Sequence, residues 1–90
     1  MQSATGKSFI ARTIYHHKQR TAEHVTLLVY KDRDENYELF DDSEADHEHR
    51  AGTRGYILDE WRRINQQLIE DSFQRDDLRG EEEFQRFITG

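Results

Sequence analysis

Residues Gly55–Phe73 read GYILDEWRRINQQLIEDSF. Within them Ile57, Trp61, Ile64 and Leu68 recur at the three- and four-residue spacing that puts side chains on one face of an α-helix. The only tryptophan of the chain lies in this stripe, and so large an aromatic is commonly the centre of the core that a short chain builds. Thr53 or Gly55 serves as the cap, with Asp59 and Glu60 expected in the first turn, where the helix dipole favours negative charge. The polar continuation DSFQRDDLRG extends the predicted helix as far as Gly80, a C-terminal cap, with Phe73 and Leu78 helping to bury it. EEEFQRFITG then predicts a short second helix, with Phe84, Phe87 and Ile88 on its apolar side.

Upstream the period changes from helix to strand. FIARTIYHH, from Phe9, is rich in β-branched and aromatic residues and predicts a strand, with Ile10 and Ile14 on one face and Phe9, Ala11, Thr13 and Tyr15 on the other. KQRTAE, residues 18–23, is the expected hairpin loop. HVTLLVY predicts a second strand, with Val25, Leu27 and Val29 on one side and Leu28 and Tyr30 on the other. After the charged turn KDRDEN, YELF gives a short third strand.

The expected fold is therefore α+β. A three-stranded antiparallel meander packs against one long helix, with a short C-terminal helix added. Ile57, Trp61, Ile64 and Leu68 cover Val25, Leu27, Val29 and Leu39. Phe9, Tyr15, Leu28, Tyr30 and Phe40 are left on the opposite sheet face, for the C-terminal helix or a partner to cover.

Ninety residues make one domain, here divided into a loose arm over residues 1–8 and a folded unit over 9–90. The hydrophobic share is only 33 %, so the margin of stability is thin, and the chain is either a monomer or a homodimer whose contact completes the core. Without cysteine there is no disulfide, thiolate chemistry or cysteine metal site. No apolar run is long enough to span a bilayer, so no membrane association and a cytoplasmic location are expected. ATGKS near the N-terminus lacks the earlier glycine, the preceding strand and the following helix of a phosphate loop.

Charge is distributed unevenly. Residues 1–30 carry Lys7, Arg12, Lys18 and Arg20 against Glu23 alone, whereas residues 31–50 carry three basic side chains against nine carboxylates, in a chain of net charge −6. The polar stretch over residues 41–54 has no apolar period, so it reads as an acidic, histidine-containing loop, and its length marks it as a place for function. Such a run often serves only as a solvated surface. Its density also suits it to steer a basic partner or to imitate the phosphates of a nucleic acid.

The expected binding residues are Asp41, Asp42, Glu44, Asp46 and Glu48, with Glu38. The expected function is non-enzymatic: an inhibitor or regulator that meets the basic surface of a nucleic-acid-handling protein. The analogy is with the small acidic anti-defence proteins of phages and mobile elements.

Two alternatives come from other residues. Arg12, Lys18, Arg20, Arg62 and Arg63 offer cations to a nucleic acid, although a net negative chain repels phosphates and direct binding is disfavoured. His47 and His49, two apart among carboxylates, suit a transition metal only if other histidines converge on them. Neither a catalytic residue nor a cofactor is expected, because no nucleophile sits in a strained glycine-framed turn and the paired carboxylates lie on polar segments.

Overall fold

The computed structural model of the chain describes residues 7–42, 49–79 and 81–89. It is α+β, with an antiparallel sheet, one main helix and one short helix. The sheet has five strands rather than three. Strands β1 (Ser8–His17), β2 (Arg20–Lys31) and β3 (Tyr37–Asp41) form the expected meander. To these are added β4 (His49–Gly52), just before helix α1 (Arg54–Glu70), and β5 (Phe73–Arg79), just after it. Helix α2 (Glu81–Thr89) follows. The order across the sheet is β4-β3-β2-β1-β5, so the two unexpected strands are its edges.

The stretch expected to be a loop up to residue 54 thus contains a paired strand, with Tyr37 opposite Gly52 and Phe40 opposite His49. The long helix ends ten residues before Gly80. Asp71 caps it, donating its backbone N–H to Gln67 O at 2.9 Å, and Ser72 N–H reaches Ile69 O at 3.1 Å. Ser72 has φ 69°, and this left-handed residue turns the chain from helix into strand. Gly80, the expected cap, lies outside the described residues. At the other end Thr53 is the N-cap, and its Oγ1 accepts the Tyr56 N–H at 3.2 Å. Because the helix begins at Arg54, its first turn holds no acidic residue, and Asp59 and Glu60 fall in the second. The β1–β2 loop shrinks to a turn at Lys18 and Gln19.

The helix stripe is as expected. Ile57, Trp61, Ile64 and Leu68 are all buried, in one cluster with Val25, Leu27, Val29, Tyr37 and Leu39. Strand β1 differs. Phe9 pairs with Tyr30 and Ala11 with Val29, which makes Ile10 the extra residue of a bulge. The bulge turns Ile10 and Ala11 inward together, and both are buried along with Thr13 and Tyr15. Tyr15 therefore belongs to the covered face, Ile14 to the open one. Helix α2 does not cover the second face: Phe84 is fully buried and stands edge-on to Trp61, with ring centroids 4.4 Å apart. Both helices lie on one side, and no described element covers the other.

Candidate functional site

The three acidic candidates placed by the structure, Glu38, Asp41 and Asp42, sit where β3 meets its neighbours. Asp41 faces inward and is buried. Its Oδ2 accepts from Arg50 NH1 at 3.5 Å, and Arg50 also donates through Nε to Glu60 Oε1 at 2.7 Å. Arg63 adds a second donor to that same oxygen at 2.9 Å. A strand-to-helix chain of alternating charge results, and Arg63 and Arg50 hold Glu60 below the ordinary carboxylate range against the opposing effect of burial.

Asp42 clasps β3 to β2. Its Oδ1 accepts the Thr26 N–H at 2.5 Å, while its own N–H reaches Thr26 O at 3.3 Å. Glu38 points to the open face, where it pairs with Lys7 and with His49 Nε2, the latter at 2.8 Å. Burial pushes the Glu38 carboxyl up, but hydrogen bonds and charge from Lys7 and His49 outweigh it and leave the group below its usual range. These three carboxylates are thus engaged in holding the β2–β3–β4 region together.

Glu44, Asp46, Glu48 and His47 lie outside the described residues. The connection that carries them has fixed ends: Asp42 is held by Thr26, and His49 stacks on Phe40 with centroids 4.6 Å apart. Because Phe40 and His49 are directly opposed across β3 and β4, both ends stand side by side at the sheet edge.

For the metal alternative, no three His, Asp or Glu side chains converge suitably for an ion among the described residues. His49 is bonded to Glu38, and His16 pairs with Asp76 at 3.3 Å, with the His24 ring 5.9 Å away. The basic candidates are not brought together either. Arg12 lies opposite Leu28 on the open face, and Lys18 and Arg20 mark the β1–β2 turn, where Arg20 pairs with Glu23 at 3.1 Å. Arg62 and Arg63 belong to the helical side. Arg62 donates to Ile88 O at 2.8 Å, satisfying a carbonyl in the last turn of α2.

Two features were missed or only half seen in the sequence. A cleft of about 200 Å³ opens beside Asp41, walled by Val25, Ile64, Leu68 and Phe73 and edged by Arg63 and Asp71. It depends on β5 returning beside α1. The second is an aromatic row across the open face: Phe9 to Tyr30 at 5.5 Å and Tyr30 to Phe40 at 5.7 Å, both edge-to-face, ending on His49. The alternation of β2 and β3 already pointed to Tyr30 and Phe40, but their contact depends on register.

Comparison with protein families found no matching family model, and searches of curated proteins and of solved structures found no match. No helix among the described residues is long and apolar enough to cross a membrane.

Proposed function

We propose that the chain is a non-enzymatic interaction module, an inhibitor or regulator whose acidic β3–β4 connection meets a basic surface on a nucleic-acid-handling protein. The observation that carries this reading is the pairing of Phe40 with His49. It brings together the two ends of a connection whose sequence holds Glu44, Asp46 and Glu48. Three carboxylates in one short connection at a sheet edge form a local source of negative potential, which speeds encounter with a basic partner and fixes its orientation. The neighbouring carboxylates Glu38 and Asp42 act as anchors of that connection with a smaller share of direct contact, and the buried Asp41 acts as an anchor alone. An origin among anti-defence proteins of phages or mobile elements remains part of the proposal by analogy.

The nucleic-acid reading is weaker, because its five cations are divided between two sides of the molecule and several already have protein partners. The test compares the native chain with a Glu44→Gln, Asp46→Asn, Glu48→Gln triple variant as bait against host extract. Binding of each captured protein is then remeasured in purified form at increasing salt. A basic partner held by the native chain and lost by the folded triple variant supports the proposal. Equal binding by both overturns it.

A further inference from the structure

Helix α1 ends against the usual electrostatic rule. The C-terminus of a helix carries partial negative charge and favours a cation, yet the last turn of α1 holds no basic residue. Glu70 and Asp71 stand there instead, and both are exposed. Gln66 donates to Glu70 at 3.1 Å and Gln67 to Asp71 Oδ1 at 3.3 Å, so each carboxylate is met by a neutral amide. Natural chains break such local rules mainly at functional sites.

The cleft beside Asp41 opens at this helix end. Ile64, Gln67, Leu68 and Asp71 come from the last two turns of α1 and its cap, while Val25 and Phe73 come from the sheet. Its volume of about 200 Å³ is below the roughly 300–1,000 Å³ of pockets that enclose a drug-sized ligand, and suits one long side chain. Of the charged residues that line it, the buried Asp41 is met by Arg50 and Arg63 by Glu60, which leaves Asp71 to set the sign. Neighbouring cations are directed elsewhere. The exposed Lys18 lines a separate hollow with His16, His17, Gln74 and Asp76, and Arg75 lies opposite Tyr15.

The cleft also adjoins the acidic connection. Asp41, one of its walls, is the last residue of β3, and the next residue, Asp42, clasps Thr26 beside Val25, another wall. A basic surface drawn to that connection is held next to the cleft.

We propose that the cleft receives one lysine or arginine side chain of the partner, its stem against Val25, Ile64, Leu68 and Phe73 and its charged head at Asp71. This rests on the reading of the chain as a binder of a basic protein surface. Lysine and arginine characteristically lay an aliphatic stem on apolar surface and keep the charge at a polar rim, and the negative end of α1 adds to the attraction of Asp71. A single side chain seated in a pocket is also how an interface concentrates its binding energy.

Two measurements test this. Nα-acetyl-arginine amide and Nα-acetyl-lysine amide, titrated to about 50 mM, should shift the amide resonances of Gln67, Leu68 and Asp71, and the uncharged Nα-acetyl-norleucine amide should not. Asp71→Asn keeps an acceptor for Gln67 and removes the charge; with an unchanged circular dichroism spectrum it should weaken the purified captured partner about tenfold. Glu70→Gln, the same loss of charge one residue away and outside the cleft, should leave that affinity within about twofold. Shifts absent from the helix end, or equal for the norleucine amide, overturn the proposal. Equal partner affinity of the native chain and Asp71→Asn, where neutralising Glu44, Asp46 and Glu48 abolishes binding, overturns the cleft's role alone. The reverse pattern supports the cleft and overturns the role of the connection.

Discussion

Arg50 of the edge strand β4 donates through Nε to Glu60 of helix α1 over 2.7 Å, and its side chain is only 10 % exposed. The guanidinium closes the junction between sheet edge and helix, since Asp41 on its other side has a fully buried side chain. Removing one member of a buried charged set leaves the remainder uncompensated, a larger loss than the net worth of the pair. Arg50→Leu should therefore destabilise the protein by about 3 kcal/mol. Arg63→Ala, at a side chain 57 % exposed, should cost less than about 1 kcal/mol. Urea unfolding of the two variants checks this, and equal losses would show that burial does not separate the two arginines.

Acid should act through Glu38 and Glu60. Both have folded-state pKa values below the ordinary carboxylate value. The stability they contribute is present above the unfolded value of about 4.3 and is lost as pH falls through the depressed folded values. Burial favours the neutral Tyr15 phenol, against the opposing Arg75 charge, and so raises its pKa. Here the sign reverses, and stability falls as pH rises beyond about 10. Denaturant midpoints measured across pH should fall at both ends. Glu38→Gln should flatten the acid limb, and Tyr15→Phe the alkaline one.

The Trp61 side chain offers a test of packing. It is 5 % exposed and contacts Phe84 edge-on, and its indole N–H is buried with no hydrogen-bond acceptor among the described residues. Trp61→Ala should cost about 3–5 kcal/mol through the cavity it leaves. Trp61→Phe removes an unsatisfied donor together with volume, so its cost should stay below about 2 kcal/mol. Thermal unfolding followed by circular dichroism distinguishes the two.

Much of this architecture was legible in the residues, and the parts that were not have physical causes. Ile57, Trp61, Ile64 and Leu68 reported the helix because one apolar stripe leaves only one period to fit. Strand β5, FQRDDLR, escaped because a bulge at Asp76 lets Arg75 pair with Tyr15 and Asp77 with Ile14, breaking the alternation that identifies a strand. The helix end escaped because Ser72, not glycine, takes the left-handed position. Strand β4 carries Arg50 and Gly52 on its inward side, so no hydrophobic pattern announces it; its inward residue is an arginine made tolerable by Asp41 and Glu60. The same pairing explains why Asp41 read as a surface carboxylate. Sequence spacing shows that acids are dense there, not which of them the fold consumes.

The claim that the β3–β4 connection carries the interaction is tested most directly by titrating a purified captured partner with the native chain and with the Glu44→Gln, Asp46→Asn, Glu48→Gln variant. The expected result is an affinity that falls with salt and drops about tenfold or more in the variant, whose unfolding midpoint stays unchanged. An equal affinity for both chains, with the same salt dependence, would contradict it.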